Sequence, residues 1–561
     1  MLTDVVSSGA KNSVADVLQK RVEQTLLVAV LSLPVSGVAN ENLLPRRDPS
    51  GEVGKDLFQQ AERLRSKQRA IPLPAIREQS QDEADLPDGP TFTLNGIRFT
   101  RSNTLTQEEL ASVVRPWLSR QINFGDLRRI LAEINGLYRE RDIYTSVAVF
   151  PEQRVEGGVV IVRLVEGSVG ELLFEGNSYT EDGYLSQWIH PENHKTTVDV
   201  KALESEIQFY NRIHNRRLQA ELRAGKGFGL TDIVINVPEP GRDTLNVFVD
   251  NYGYESTGEG QLSALYQREK LFRTGDRALA YALTSTGLNS LSTSYNTVIG
   301  NSGWRLGGSL QYTDTAIKKG DFSTLNISGD SLRYSLDASY LVYSGINLWV
   351  DLVGSASQTR SKNKVAGADL SDYQTTQYQL GSAVNWLGDQ WQLSGRLLYS
   401  SVKSKEKILG STRTVSLINP QTTFIYNFDS PFYLLAAIEA QFASEEAIPG
   451  AVSFSVGGPT SLRGYKPGIV SGDSGWYQQF EAHYNGLRYR NLDFDLYGFY
   501  DYGKVESLQP DQILASAGAG VTINWGEWGT LELVAANAMK DVVPNQDSGQ
   551  IYARITCRCL R

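Results

Sequence analysis

Cysteine is nearly missing from this chain: Cys557 and Cys559 are the only two in 561 residues. They stand two apart at the C-terminus, where a strand points both to one face and a mutual disulfide would be badly strained. Past the N-terminal region no apolar run reaches about 18 residues, so membrane-spanning helices are excluded there. The four histidines, His190, His194, His214 and His483, fall in three separate regions, a pattern that suits no zinc site. Positive charge is not in excess, with 54 Lys and Arg against 63 Asp and Glu, which argues against a nucleic-acid partner. No Walker-type loop and no nucleophile elbow occur. The glycine-rich stretch GWRLGGSLQY (303–312) is expected between strands and not around a phosphate. No catalytic constellation, metal site or cofactor is expected, and the chain is not read as an enzyme.

The N-terminus, by contrast, is rich in signals. Lys20 and Arg21 precede the apolar stretch TLLVAVLSLPV (25–35), and small residues follow up to Ala39, the pattern of an export signal over 1–39. Residues 55–70 place Leu57, Ala61 and Leu64 on one helical face that is otherwise polar, so the expected helix has little to bury and suits a wet environment. The Pro-rich, acidic stretch that follows marks an extended linker, and 40–90 is read as helix plus linker.

Two tandem α+β units come next. In the first (91–167), a strand TFTLNGIRFT precedes a helix with a Thr106/Glu109 capping box and an apolar face of Leu110, Val113, Val114 and Trp117. A second helix over 124–144 carries Leu127, Ile130, Leu131, Ile134 and Leu137, and two strands close the unit. In the second (168–240) the order repeats, with Leu203, Ile207, Tyr210 and Ile213 in helical register. This pattern, with FEGN after the first strand of the second copy, resembles POTRA domains. The resemblance implies a periplasmic location and capture of client polypeptides by strand addition to a sheet edge.

Beyond Gly241 helical periodicity disappears and alternation takes over. In QIYARITC, Ile551, Ala553, Ile555 and Cys557 share one face while Tyr552, Arg554, Thr556 and Arg558 share the other. At about 20 residues per strand and turn, 241–561 accommodates roughly 16 antiparallel strands, and closure into a transmembrane β-barrel removes the edges that lipid does not tolerate. The 27 tyrosines and 9 tryptophans suit interfacial girdles.

One loop carries the most specific signal. Leu462, Arg463, Gly464 and Tyr465 resemble the Val-Arg-Gly-Phe/Tyr signature of the sixth extracellular loop in the Omp85 superfamily, with Leu in place of Val. Phe499, Asp501 and Gly503 reproduce a second motif, and alternation turns Asp501 inward with Asp493, Asp495, Tyr497 and Phe499, while Phe494, Leu496 and Tyr500 face lipid. The resemblance implies that a loop around 457–475 folds into the lumen, its arginine held by Asp501. Arg suits this because its rigid fork grips a carboxylate bidentately; Gly464 would let the backbone approach the wall with Tyr465 packed beside it.

Two POTRA-like units, the preceding helix and SGDSGWYQQFEAHY (471–484) together resemble the TpsB transporters of two-partner secretion, over nearly the whole mature chain. A departure is the C-terminal CRCLR, where that family ends in an aromatic residue. The resemblance implies an outer-membrane transporter that binds an unfolded TpsA-like exoprotein (an adhesin, haemolysin, toxin or haem-acquisition protein) and threads it through the barrel. It implies that the helix at 55–70 plugs the lumen. The implied partners also include outer-membrane lipid and the barrel assembly machinery. The alternative is an Omp85-type factor that assembles outer-membrane proteins; a passive porin would lack both the POTRA pair and the lumen motif.

Overall fold

The computed structural model describes residues 77–78 and 91–560, apart from 142, 144–145, 191–199, 228, 321–322 and 507–509. The expected export signal and the helix bearing Leu57, Ala61 and Leu64 lie outside the described residues. Among the described residues no helix is long and apolar enough to cross a membrane.

The first module packs two helices, α1 (Gln107–Val114) and α2 (Phe124–Arg139), on a three-stranded sheet ordered Gly96–Phe99, Val159–Glu166, Ser146–Val149. The capping box of Thr106 and Glu109 starts α1, and Asn123 with Asp126 does the same for α2. Leu110, Val114, Leu127, Ile130, Ile134 and Tyr138 are buried against Val160, Val162 and Leu164. Helix α2 stops at Arg139, five residues before the expected end, because the next residues, Glu140 and Arg141, offer nothing apolar to bury. The expected strand over 91–100 is interrupted at Leu94 and Asn95: Leu94 is buried, its carbonyl accepts from Ser119 N–H, and the Asn95 side chain donates to Gly157 O at 2.9 Å.

The second module repeats the order. Its strands Ser168–Glu175, Gln219–Ala224 and Leu230–Asn236 form a sheet beside α3 (Asp182–Leu185) and α4 (Val200–His214). One difference between the copies concerns the sheet edge. In the second, the edge strand Gln219–Ala224 is paired in parallel with Arg77–Glu78, Arg77 opposite Glu221 and Glu78 opposite Leu222. In the first, the equivalent edge strand Ser146–Val149 carries no further strand among the described residues, and its Ala148 N–H is taken by the Asn135 side chain at 2.7 Å.

Sixteen antiparallel strands, from Asp243–Asp250 to Gly549–Leu560, close into a barrel. Its burial is the inverse of a soluble protein. Leu310, Tyr312, Leu336, Leu380 and Leu397 are exposed on the outside, while Gln311, Thr313, Ser335, Thr359 and Gln377 are buried within. Strand Trp304–Ala316 contains the glycine-rich GWRLGGSLQY almost entirely, so that stretch is a wall strand and not a connection. Its Gly307 faces the Asn296 side chain on the neighbouring strand, where a Cβ would stand 2.5 Å from Oδ1. The first and last strands meet at a seam. Arg554 places its guanidinium 2.8 Å from Asp250 and 4.0 Å over the Tyr252 ring, and Asn251 exchanges hydrogen bonds with Ala553 N–H and Ile551 O.

The second module packs against the barrel turns at 270–276, 300–303 and 345–347. Arg216 reaches Glu269 at 3.0 Å, Lys270 donates to Tyr179 O at 2.7 Å, and Arg212 donates to Ser344 and Ile346 while lying 4.6 Å over Trp349. Val298, Leu341 and Trp349 of the barrel complete the module's own core. His214 ends α4 inside this joint, against Trp188, Tyr184 and Tyr210, and burial pulls its imidazole down to about 3, so it stays neutral. A folded-state value below the unfolded one means that the unfolded chain takes up the proton first. The joint is therefore at full strength above about pH 6.5 and loses roughly 1.4 kcal/mol per pH unit as pH falls towards that folded-state value. Amide exchange of Val200–His214 is expected to speed up between neutral pH and about pH 5 in the natural chain, after correction for intrinsic exchange, and much less in His214→Gln.

Candidate functional site

Because strands alternate in direction, the connection from Ala443 to Ser474 lies at the rim opposite the second module. It does not stay outside. A small hairpin of Phe454–Val456 and Val470–Gly472 folds inward, and Leu462, Arg463 and Tyr465, between its strands, are all buried. Leu462 and Tyr465 pack with Phe454, Val456, Tyr477, Val505 and Leu514, an apolar base for the loop inside the barrel. Leu462 contributes only apolar contact here, the role a Val would also fill.

Arg463 makes the central contact. Its Nε and Nη2 donate to Asp501 Oδ2 and Oδ1 at 2.9 and 2.5 Å, and its backbone N–H donates to Oδ2 at 3.0 Å. One carboxylate therefore fixes both the fork and the main chain of the loop. Nη1 reaches Glu481 Oε1 at 2.5 Å, and the guanidinium carbon lies 3.6 Å from the centre of the Phe499 ring. Arg463 is 4% exposed and Asp501 fully buried, so each charge depends on the other for compensation.

The flanking motif residues supply space and fit. A Cβ on Gly464 would stand 2.6 Å from Ser516 Cβ and 2.8 Å from Ala538 N, so only glycine lets the loop lie on the wall here. A Cβ on Gly503 would come 3.0 Å from Tyr477 Cβ and 3.1 Å from Leu462 Cδ1, which makes Gly503 the floor under Leu462. The Tyr465 hydroxyl lies 2.9 Å from Ala515 O and 3.0 Å from Lys540 O, and its carbonyl accepts from the Tyr552 hydroxyl at 2.6 Å.

The structure thus brings together all seven expected lumen residues: Leu462, Arg463, Gly464, Tyr465, Phe499, Asp501 and Gly503. Two contributors were missed. Glu481 is inward-facing on strand Ser474–Tyr489, and alternation would have placed it there, but nothing in the sequence pairs it with an arginine in a loop. Tyr552 shares a face with Arg554, Thr556 and Arg558 in the alternation of the last strand, but the sequence names no partner for it.

A closed sixteen-stranded barrel, apolar outside and largely polar within, with a loop ion-paired inside it, defines an outer-membrane β-barrel protein. The sequence profile described as haemolysin secretion/activation protein ShlB/FhaC/HecB matches residues 229–524, and that of the ShlB-type POTRA domain matches 92–167. The chain belongs to that family, the transporters of two-partner secretion: it resides in the outer membrane with its POTRA region in the periplasm and translocates an exoprotein outward.

Among curated relatives, the outer membrane transporter CdiB of Dickeya dadantii is 25% identical over 71% of this chain and 73% of its own length. The heme/hemopexin transporter protein HuxB of Haemophilus influenzae is 24% identical over 94% of this chain and 95% of its own. In solved structures, CdiB from Escherichia coli matches the fold with a TM-score of 0.62 at 19% identity, covering 92% of this chain and all of that one. BamA from Haemophilus ducreyi shares the fold at a TM-score of 0.54 and 14% identity, covering 83% of this chain and all of that one.

Proposed function

We propose that the pair Arg463–Asp501 is a releasable anchor that keeps the inward loop seated across the lumen until an exoprotein passes. The observation that carries this reading is the threefold grip of one buried carboxylate on the arginine's fork and backbone. Such a contact holds a loop in one pose, yet it can be exchanged for contacts with an arriving polypeptide because the surrounding lumen is polar. In this reading the helix at 55–70 is the plug, and the second module, like the first, is a POTRA domain. The exoprotein is of the TpsA type and arrives unfolded. Folding outside the cell makes its return unfavourable and supplies the drive. Lipid surrounds the barrel wall, and the barrel assembly machinery inserts it.

Client capture by strand addition needs an open edge. The edge of the first module carries no strand among the described residues, with Ala148 N–H held by the Asn135 side chain that a client strand would replace, while the segment 77–78 sits on the equivalent edge of the second. The exoprotein would have to displace this segment to use both. Cysteines at 78 and 222, in a background with Cys557→Ser and Cys559→Ser, are expected to crosslink under oxidation and stop secretion, with recovery on reduction. Unchanged secretion by the crosslinked protein would remove displacement of 77–78 from the mechanism.

The reading as a whole is tested by placing the gene and a neighbouring large exoprotein gene in cells with and without this chain. Exoprotein in the medium only when the chain is present supports it. Defective assembly of other outer-membrane proteins on deletion, with export intact, would favour the insertion-factor alternative.

A further inference from the structure

Below Glu481, towards the rim where the second module sits, lies a second buried polar cluster, joined to the anchor through Glu481. Glu481 Oε2, the oxygen not used by Arg463, is 2.8 Å from His483 Nε2. The other ring nitrogen, Nδ1, is 3.1 and 3.2 Å from the two oxygens of Asp495. Asp495 also accepts the Tyr433 hydroxyl at 2.6 Å. The imidazole is stacked between two phenol rings, Tyr433 at 4.2 Å and Tyr497 at 4.8 Å, and is 7% exposed.

A carboxylate oxygen only accepts hydrogen bonds, and a neutral imidazole has one N–H to give. Carboxylates on both ring nitrogens are satisfied together only when both nitrogens carry protons, that is, by an imidazolium. Two flanking aromatic faces suit a planar cation and fix the plane of the ring. The groups facing His483 are Tyr433 from strand Phe432–Ala443, Glu481 from its own strand, and Asp495 and Tyr497 from strand Leu492–Glu506, with Arg463 of the loop beyond Glu481. Three carboxylates, Asp501, Glu481 and Asp495, thus meet two cations. Without the proton on His483 they meet one, and Glu481 loses the partner that turns its other oxygen towards Arg463.

We propose that His483 is a positioning residue of the loop anchor: as an imidazolium it orients Glu481 to give Arg463 its second carboxylate, so that the hold on the loop depends on a proton at His483. Tyr433 and Asp495 lie near the module-side ends of their strands, so a polypeptide entering from the periplasm meets this cluster before it meets Arg463. Contacts it makes with Asp495 or Tyr433 would reach the anchor through the same histidine.

The inference rests on the anchor reading, and the test separates the two. The full-length protein is reconstituted in planar bilayers and the fraction of time in large open excursions is recorded from about pH 6 to about pH 9, across the ordinary range of histidine. Heat-modifiable mobility checks that each variant is inserted. The natural chain is expected to open more as pH rises, by about tenfold, the effect of about one pH unit of proton linkage. His483→Gln, with no cation, should open often at every pH, and His483→Arg, a permanent planar cation with several donors, should open rarely at every pH. A natural-chain slope retained in either variant, or no slope in the natural chain, overturns the role of His483. The control is Asp501→Ala: unchanged opening in that variant would instead overturn the anchor, whatever the histidine variants show.

Discussion

Asp501→Ala is expected to leave the barrel inserted in the outer membrane and to abolish most export of the exoprotein. The carboxylate contributes nothing to the outer wall, and strand Leu492–Glu506 keeps its pairing on both sides without it. What it leaves is a buried guanidinium with only Glu481 to face. Breaking a buried pair by removing one partner costs about 3–5 kcal/mol. Spent on the loop's seated pose, that weakens its occupancy by a factor of about 100 or more. Exoprotein in the medium, normalised to surface-exposed barrel, should fall at least about tenfold, given that loss of occupancy. Arg463→Ala should fall less far: it leaves Asp501 bare, but a carboxylate in that position can take a proton where a guanidinium cannot give one up. Normal export by Asp501→Ala would remove the anchor from the mechanism.

Gly464→Val should produce a comparable loss with every charge intact. Its Cβ would collide with Ser516 Cβ and, more seriously, with the backbone at Ala538 N and Asn537 C, 2.8 and 2.9 Å away. The strand cannot yield, so the loop must move, and a bidentate contact is sensitive to displacement on the order of 1 Å. Trimming the neighbour with Ser516→Gly removes the lesser clash and leaves the backbone one, so the double variant should remain defective. Recovery in the double variant would show that the wall is softer than these contacts imply. A change that affects no titratable group yet mimics Asp501→Ala would place the requirement on where Arg463 sits and not on charge as such.

Much of this arrangement is legible in the sequence because a barrel strand has a period of two. Once Asp501 is known to lie in a strand, its facing follows from that of Phe499 and Tyr497, and the same rule turns Tyr552 and Arg554 inward. The capping box at Thr106 and Glu109 marks a helix start for a similarly local reason. What alternation cannot supply is the partner across space. Glu481 is one inward carboxylate among several, and its contact with Arg463 depends on how deep the loop descends, which is set by the packing of Leu462 and Tyr465 and by the room at Gly464. His483 was set aside as one of four scattered histidines, since its surroundings come from three strands. The end of α2 at Arg139 and the break at Leu94 were misjudged because burial against the opposite layer, more than local propensity, decides where those elements stop.

The seam between the first and last strands bears on how such a chain is made. Asp250 and Arg554 are 304 positions apart, and their strands pair with each other as well as with their sequence neighbours. Every other wall contact is between strands close in the chain, but this one waits for the C-terminus to be synthesised and exported. Until then both terminal strands expose bare hydrogen-bonding edges, and joining them means closing a loop of the largest size the barrel offers. This is the most non-local pairing in the wall, so loop-closure entropy makes it the costliest to form and the one expected to form last.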